Sequence, residues 1–400
     1  MQLVRQQWAA LLLAALVLLG AIWSFPPLVD AVTGALPGEA ELVRPFGYVV
    51  LAPLSNVLDA LTFFSVQRAI VFVAVWTLVL AVWAAWRPAP WWRRIIRAVG
   101  GAAVVWGLVA ATLLAPRPVP YVRTLGPGLT ILDYHAHTNS SHDGRPGFGP
   151  SQMAAWHAVQ GFNATYVTDH NVVFSLPIET VIPLLPGVEW SVHRQHIVAL
   201  GPVREIDRAR YSGSTANLLG LFAELHRQGV LGLASLPEYW ENHREALEQF
   251  VGSGVDGFEI VNCSPKGLEF SRAARQSIIE LAVPNNLLVV GASDNHGWGR
   301  VTCVWNVSLT GMEGFRANRV LARPVALAQG DAAAWSAPVS QFWLMFRSLD
   351  WDERASWLTW IALITIYRAI PRRGGQKAGI GILFRSVFQN RTAQRKDGQT

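Results

Sequence analysis

Charged residues are scarce in this 400-residue chain. Asp, Glu, Lys and Arg make up 15% of it, against about a quarter in a typical soluble domain, while hydrophobic residues make up 51%. This composition excludes a disordered chain, a collagen-like repeat and an ordinary soluble single domain. Only two cysteines occur, which excludes a disulfide-rich scaffold.

Two common catalytic motifs are also missing. The sequence has no glycine-rich phosphate loop with its lysine and no Gly-x-Ser-x-Gly nucleophile elbow. Neither a P-loop nucleotide site nor a serine nucleophile of that kind is therefore expected.

The charges that are present are unevenly distributed. Residues 1–126 carry nine basic and four acidic residues, residues 127–330 carry 14 and 18, and residues 331–400 carry ten and five. Two basic ends thus surround a mildly acidic middle, a pattern typical of membrane topology rather than nucleic-acid binding. Nucleic acid is expected at most as a nucleotide substrate. All ten histidines lie between His135 and His296, so we expect the chemistry in the middle part.

Three uncharged apolar runs predict a membrane region at 1–126: Ala9–Phe25, Ala69–Trp86 and Ala98–Ala115, each of 17 or 18 residues. Loop 87–97 has four arginines and no acid, so it is expected in the cytoplasm. Loop 26–45 has three acids and one arginine, so it is expected outside. This multi-pass topology makes the middle domain extracytoplasmic. A cleaved signal peptide is the alternative for the first run.

Two further apolar stretches leave alternatives open. Phe46–Val66, which Asn56 and Asp59 interrupt, could be a fourth span, a re-entrant segment or an interfacial helix. Ala355–Ile370, in the C-terminal segment 331–400, predicts a short membrane helix, with an interfacial helix as the alternative. The basic tail beyond it would then be cytoplasmic, or would lie on anionic lipid.

The middle segment, 127–330, alternates short apolar runs with helical patterns. The predicted strands are Thr130–Tyr134, Ala164–Thr168, Gly187–Ser191, His196–Leu200, Val230–Ser235, Gly257–Asn262 and Leu287–Ser293. The predicted helices, bounded by proline or glycine, are Ser151–Gln160, Thr215–Gln228 and Ser271–Val283. Such alternation favours an α/β fold with a parallel sheet, and about seven strands suggest a closed barrel, with an open doubly wound sheet as the alternative.

Polar residues of metal-binding type occur at the ends of nearly all these strands. They are His135, His137, Asp169, His170, Glu189, His196, Glu259, Asn262, Asp294 and His296. Because strand ends converge on one rim of a barrel, these residues are expected to meet in one cavity. Imidazoles and carboxylates without a cysteine cluster favour Zn²⁺, Mn²⁺ or Fe²⁺. Four other histidines, His157, His193, His226 and His243, fall on helices or loops and are not expected to be ligands.

The ordered segments DYHAHTNSSHDG, YVTDHN, PGVEW, HIVALG, FEIVN and VVGASDNHGW resemble the successive motifs of the polymerase-and-histidinol-phosphatase (PHP) superfamily. The resemblance covers roughly Gly128–Arg300, and the HTNSSHDG form is more similar to the carbaryl-hydrolase-like branch. It implies a distorted (β/α)₇ barrel that holds two or three divalent metal ions and hydrolyses phosphate esters.

The resemblance also implies a role for individual residues. His135, His137, Glu189 and Asp294 would hold the first metal, Glu189 and His196 the second, and His142, His170 and His296 the third. Asp143 competes with His142, because the sequence has one extra residue there. Glu189, Asp294 and Asp169 are the candidate catalytic residues, with Asp169 orienting a ligand from behind.

One position departs from the family pattern. Leu236 stands where a His-Pro pair usually ends the fifth strand, so the second metal loses a ligand unless a group such as Glu238 replaces it. Arg194, Lys266 and Arg300 are candidate contacts for a substrate anion. Cys263 and Cys303 could pair outside the membrane, although spacing alone does not decide this.

The sequence therefore predicts a membrane-anchored, metal-dependent hydrolase of a small-molecule phosphoester. One alternative is a hydrolase of non-phosphate esters or carbamates that uses the same site. The other is a non-catalytic module that binds a metal or a ligand.

Overall fold

The computed structural model describes residues 2–174, 179–192, 194–211, 214–309 and 318–369. The helices are α1 (Gln2–Ile22), α2 (Phe46–Val50), α3 (Ala52–Thr62), α4 (Val66–Trp86), α5 (Trp91–Leu114), α6 (Pro150–Val159), α7 (Thr215–Arg227), α8 (Trp240–His243), α9 (Leu247–Gly252), α10 (Arg272–Ala282), α11 (Pro324–Leu327), α12 (Ala337–Ser348) and α13 (Trp351–Ala369). The strands are β1 (Val29–Asp30), β2 (Ala40–Val43), β3 (Tyr121–Thr124), β4 (Leu129–Asp133), β5 (Ala164–Val167), β6 (Leu184–Val192), β7 (Gln195–Leu200), β8 (Leu231–Ser235), β9 (Gly257–Asn262), β10 (Leu288–Ala292), β11 (Val304–Leu309) and β12 (Arg319–Ala322).

The fold is mixed α/β around one curled ten-stranded sheet, a half-barrel. Its strand order is β1-β12-β11-β4-β5-β6-β7-β8-β9-β10, and β2 pairs separately with β3. The curl brings the two halves together beyond the strand ends, where Ala136 and Asn295 form a parallel bridge. The Asn306 side chain on β11 donates to the carbonyls of Leu132 (3.1 Å) and Gly291 (2.7 Å), which ties β4 to β10.

All seven predicted strands are present as β4 to β10, with ends within three residues of the prediction. The three predicted helices are α6, α7 and α10, each within one residue. Their starts have the expected chemistry, since Ser214 and Ser271 accept hydrogen bonds from backbone N–H groups in the first turn of α7 and α10. Local signals were sufficient here because each element is short and most are bounded by turn residues or by residues that end a helix.

The predicted parallel sheet is present only in part: β5 is parallel to β4 and β6, and β9 is parallel to β8 and β10. β7 pairs antiparallel with both β6 and β8. β6 and β7 are separated by only two residues, too few for the crossover that parallel neighbours need. β11 and β12, in a part of the chain for which the sequence predicted no role, add an antiparallel pair beside β4.

Two helices are long and apolar enough to cross a membrane: α4, of 21 residues, and α5, of 24. In the most apolar 18-residue stretch of each helix, only 11% of the residues are buried. The apolar side chains of α4 and α5 therefore mostly face outward. The first predicted span corresponds to α1, whose apolar part, Gln7–Ile22, is shorter. Val17 of α1 is fully buried against α12 and α13.

The ambiguous stretch Phe46–Val66 does not form a single span. It contains α2 and α3, and the 11 residues of α3 extend about 16 Å, roughly half of a hydrocarbon core. The polar residues that interrupt this apolar stretch are buried and form hydrogen bonds with other parts of the helical region. Asn56 donates to Glu353 (2.6 Å), and Asp59 accepts from Tyr48 (2.8 Å).

The C-terminal apolar stretch forms most of α13. The first turn of this helix contains the charged residues Asp352, Glu353 and Arg354, and Glu353 pairs with Arg44 at 3.1 Å. Because of these charges, α13 is not apolar enough to count as a membrane span. Within the described part of the chain, only α4 and α5 meet that condition. The basic tail, 371–400, lies outside the described residues.

Candidate metal centre

The centre is built on the segment that follows β4. His135 and His137 are two apart in an extended chain, so both side chains point to the same side, and both are fully buried. Ala136, between them, lies in the bridge to Asn295, which joins the segment after β4 to the segment after β10. The fold therefore brings Asp294, which follows β10, against the histidines that follow β4.

Four donor atoms converge at this point. The Nε2 atoms of His135 and His137 lie 2.9 Å apart, and each is 3.3 Å from Oε2 of Glu189. Oδ1 of Asp294 is 3.2 Å from Nε2 of His137 and 3.6 Å from that of His135. Four ligands about 2.1 Å from a tetrahedral ion would stand about 3.4 Å from one another, and the five distances that involve a histidine nitrogen are near this value, as for an ion such as Zn²⁺.

The hydrogen bonds behind the two imidazoles leave their Nε2 atoms free as acceptors. Nδ1 of His135 lies 2.6 Å from Oε1 of Glu259, and Nδ1 of His137 lies 2.8 Å from the Ser141 hydroxyl. A carboxylate can only accept, so Nδ1 of His135 carries the proton. Ser141 donates its own proton to Asp169 (3.1 Å), so it accepts from His137. Two lone pairs 2.9 Å apart require a cation, or an added proton, between them.

Buried acceptors around this point support the same interpretation. Within the described part of the chain, both carboxylate oxygens of Glu189 and Oδ1 of Asp294 are buried without a hydrogen-bond donor. Leaving a buried carboxylate oxygen unsatisfied is costly, and a cation would remove that cost. These buried groups could hold a metal ion.

A second group shares Glu189. Nδ1 of His196 is 2.5 Å from Oε1 of Glu189, and Nδ1 of His170 is 2.8 Å from Oε2. His196 is the second residue of β7, and it reaches the same rim as the ends of β6 and β8 because β7 runs in the opposite direction to both. Its other ring nitrogen lies 3.2 Å from the Tyr239 hydroxyl.

A third group lies toward the surface. One ring nitrogen of each of His137, His170 and His296 lies within 4.8 Å of the others. The same holds for one ring nitrogen of His142, one of His170 and a carboxylate oxygen of Asp143. The Asp143 carboxylate lies 3.3 Å from Nε2 of His296 and 3.5 Å from Nε2 of His170. The His142 side chain is 79% exposed and 3.9 Å from Asp143. The geometry therefore places the carboxylate, more than His142, between the two buried histidines.

Two residues singled out from the sequence, Asp169 and Glu259, lie behind the ligands, and the structure adds Thr138, Ser141 and Ser235 as their partners. Asp169 does not reach the first group; it accepts from Thr138 (2.6 Å from N, 2.7 Å from Oγ1) and from Ser141. Glu259 accepts from Ser235 (2.6 Å) and Asn262 (3.1 Å) while it holds His135. The signal for Glu259 was its place on an otherwise apolar strand, since a buried acid there needs donors.

The carboxylates of the cluster favour positive charge on the neighbouring histidines. Burial lowers the pKa of His135, but the carboxylates of Glu189, Glu259 and Asp294 outweigh it and raise that pKa well above 6.5. Burial also opposes protonation of His170, yet Asp143 and Glu189 raise its pKa to about 10. The pKa of Glu189 is held well below its usual range, because contacts with the histidines outweigh burial. The histidines therefore carry protons at positions where a bound divalent cation would replace them.

The chain is strained where Asp294 sits. Its φ is 46°, in the left-handed region that non-glycine residues rarely adopt. The same turn continues to Gly297, whose φ is 82° and where a Cβ would lie 2.4 Å from the Phe148 ring. Such strain concentrates at functional sites, since surrounding contacts must hold it in place.

The fifth predicted strand, β8, ends differently from the family pattern. Leu236 is fully buried in the main apolar core and offers no donor atom. Glu238, two residues on, faces the same cavity as the cluster and accepts from the Ser264 hydroxyl. Burial raises the pKa of Glu238, and the charges of Asp294 and Glu189 add to the rise.

The three candidate anion contacts are placed differently. Lys266 lines the cavity and lies 3.9 Å from Oε2 of Glu238. Arg300 follows Gly299, which lines the cavity. Arg194 lies in the β6–β7 turn at φ 57° and is not part of the cavity lining described here.

The histidines not expected as ligands lie elsewhere, as far as the structure describes them. His157 is buried 2.8 Å from Asp133, and His226 pairs with Asp256 at 3.0 Å. His243 lies 3.3 Å from the carbonyl of Arg194. His193 lies outside the described residues.

The two cysteines form a disulfide. Cys263, after β9, pairs with Cys303, before β11, with Cα atoms 5.8 Å apart. The bond joins the rim of the cavity to the antiparallel pair that the sequence did not predict. Disulfides persist mainly in oxidising compartments.

Comparisons with known proteins add no name to this geometry. No protein-family model matches the chain. No curated protein matches it either. The resemblance to the PHP superfamily therefore stays a prediction from the motifs.

Proposed function

We propose that this chain is a membrane-anchored, metal-dependent phosphoester hydrolase of the PHP type. The observation that carries the proposal is that the Nε2 atoms of His135 and His137, 2.9 Å apart, each lie 3.2–3.6 Å from an oxygen of Glu189 and of Asp294. Those carboxylate oxygens are buried without a hydrogen-bond donor among the described residues. In the PHP interpretation the curled sheet is the distorted (β/α)₇ barrel, and the Ala136–Asn295 bridge supports its closure.

The residues present fit two or three divalent ions, such as Zn²⁺, Mn²⁺ or Fe²⁺. His135, His137, Glu189 and Asp294 would hold the first, and Glu189, His170 and His196 the second. His296 and Asp143, with His142 nearby, would complete a third. When bound, such ions lower the pKa of a water molecule and neutralise charge on a phosphoryl oxygen.

The remaining side chains would serve the reaction around those ions. Glu259 and Asp169, the latter through Ser141, hold the imidazoles of His135 and His137 in orientation. Lys266 is placed to contact an anionic group in the cavity. Glu238, whose pKa is raised by burial, could give its proton to the leaving oxygen.

The membrane placement is part of the proposal. Helices α4 and α5 are joined by a short arginine-containing segment, and the half-barrel follows the far end of α5. With that segment in the cytoplasm, the catalytic domain is extracytoplasmic. The Cys263–Cys303 disulfide supports an oxidising compartment.

The test uses the full-length protein in detergent. We expect at least one tightly bound divalent metal per chain by elemental analysis, and turnover of an aryl phosphate or phosphodiester that chelation abolishes. His135→Ala should lose both the metal and the turnover. The matched control is His226→Ala, which removes an exposed histidine paired with Asp256. Turnover that survives metal removal would contradict the proposal, and faster turnover of carboxyl esters or carbamates would redirect it.

A second function rests on Leu236. A buried leucine where a ligand is expected fits a domain that holds an ion or a ligand without hydrolysis. Full metal occupancy without turnover of any phosphate, carboxyl ester or carbamate would favour it.

A further inference from the structure

We infer that the substrate is a membrane lipid with a phosphoester head group, which enters the site from the bilayer between α3, α4 and α5. The inference rests on the proposed function, because it names the substrate class of the same site. It is carried by a single cavity that extends from the candidate metal centre to the two membrane helices.

The cavity has a polar end and an apolar end. Its volume is about 560 Å³, within the range of small-molecule sites. His170, His196, Asp294 and His296 line the polar end. The apolar end is lined by Leu61, Phe64, Val66, Ala69, Val109 and Leu113. An amphiphile with one charged end and one long apolar end matches this division.

With α4 and α5 as the proposed spanning helices, the apolar end lies at the level of the bilayer surface. Val66 and Ala69 belong to the first turn of α4, and Val109 and Leu113 lie within the last five residues before the end of α5. Five residues of helix rise about 8 Å, so the opening is close to the head-group region. Val66 lines the cavity and is 57% exposed, so the cavity reaches an exposed face of α4.

Two arginines beside the cavity suit an anionic head group. Arg145 and Arg300 each have an Nε that is buried without a hydrogen-bond partner among the described residues. The backbone N–H of Arg145 donates to the His296 carbonyl (2.8 Å), and Arg300 follows Gly299, which lines the cavity. Arginine is well suited to phosphate, since its fork presents several donors to a planar set of oxygens.

Hydrolysis of such a lipid balances without a further reactant. One water supplies the oxygen that bonds to phosphorus, the bond from phosphorus to the lipid oxygen breaks, and that oxygen leaves with a proton. For a phosphomonoester the products are inorganic phosphate and an uncharged lipid alcohol. The alcohol can return to the bilayer through the same opening.

The experiment compares lipid and water-soluble forms of one head group on the full-length protein in detergent or vesicles. The probes are dioleoyl phosphatidic acid and glycerol 3-phosphate. We expect kcat/KM for the lipid to be at least 100-fold higher. Val66→Trp should lower lipid turnover at least tenfold and leave glycerol 3-phosphate unchanged. The matched control is Leu78→Trp, on the same helix and 64% exposed but away from the cavity, which should change neither.

A second readout does not depend on turnover. A phosphatidic acid with a photoreactive acyl chain should label peptides containing residues 61–69 or 109–113. Excess dioleoyl phosphatidic acid should compete, and glycerol 3-phosphate should not. Val66→Trp should reduce the labelling, and Leu78→Trp should not.

The two readouts separate the outcomes. Equal kcat/KM for both probes, with no effect of Val66→Trp, would overturn the lipid inference and leave the hydrolase proposal intact. If neither probe nor any phosphoester is hydrolysed, the hydrolase proposal fails. Competed labelling at the opening would then still support a lipid site, whereas labelling spread evenly along α4 and α5 would refute it.

Discussion

Two buried clusters of charged side chains in this protein differ in how their carboxylates are neutralised. In the helical part, Asp59 accepts from Tyr48 (2.8 Å), Arg117 (3.2 Å) and Arg323 (3.2 Å). In the half-barrel, Glu189 has imidazoles at 2.5–3.3 Å, and neither of its oxygens has a hydrogen-bond donor among the described residues.

The difference lies in the partner. Arginine keeps its proton at any physiological pH, so the Asp59 cluster is permanently paired and needs nothing else. Histidine can lose its proton, so the Glu189 cluster can exchange protons for a cation. The first cluster therefore holds elements together, and the second is a candidate site. The predictions below test this contrast.

The largest effect is expected from Asp59→Ala. It leaves Arg117 and Arg323 buried without their carboxylate, and breaking such a pair costs about 3–5 kcal/mol. We expect a lower free energy of unfolding in detergent, with bound metal per folded chain unchanged. Glu41→Gln, which breaks the exposed Arg123 pair, should leave the unfolding temperature unchanged. If the Asp59→Ala protein were as stable as the parent, the Asp59 cluster would not hold the elements together as described.

Removal of the metal should have the next largest effect. An ion present at 100 times its dissociation constant stabilises the fold by about 2.7 kcal/mol, and chelation should abolish that contribution. Asp294→Asn keeps a side chain that tolerates the left-handed backbone but lacks one charged oxygen, so its chelation-dependent shift in Tm should be much smaller. An unchanged shift in this variant would show that Asp294 is not a ligand.

A smaller effect is expected from Glu259→Gln. The amide can still contact Nδ1 of His135 but cannot supply the carboxylate charge, and such changes behind a ligand cost about 10–100-fold in metal affinity. Competition with a metal-binding dye measures the affinity. The control is Glu269→Gln, whose carboxylate pairs with Arg68 outside the centre. Equal losses in the two variants would mean that Glu259 has no special role.

The pH dependence should be the most gradual effect. Asp143 and Glu189 raise the pKa of His170 to about 10 against burial. In the metal-free protein this stabilisation is full below pH 6.5, the unfolded value, and disappears as the pH rises through about 10. Metal must displace that proton, so affinity should increase up to about tenfold per pH unit across this window. Calorimetry in two buffers of different ionisation enthalpy would detect the released proton, and buffer-independent heats would contradict the assignment.

Much of the half-barrel could be predicted from local signals. The strand Gly257–Asn262 was predicted to the residue, because a short apolar run there is bounded by polar residues. The direction of β7 could not be predicted, since direction depends on which strands pair, and alternation with helices favoured a parallel sheet. That direction places His196 at the rim from the start of a strand rather than its end.

The helical part was predicted less well for a physical reason. Hydropathy treats Asn56 and Asp59 as interruptions of a membrane span, whereas in the fold they are partners of Glu353 and Tyr48. The cavity shared with α4 and α5 was not predicted either, because nothing in the sequence links Val66 to His296, 230 positions away.

The sequence by itself determined which residue types were available for the site, where most strands of the half-barrel lie, and that α4 and α5 are long and apolar enough to cross a membrane. These are properties of neighbouring residues, so local periodicity and composition carry them. Only the tertiary structure decided that the donor atoms of Glu189 and Asp294 lie close to those of His135 and His137, that Asp143 contacts both His170 and His296, and that one cavity extends from this centre to α4 and α5. Those features depend on distances between segments far apart in the chain, which are set by strand pairing and by the curl of the sheet.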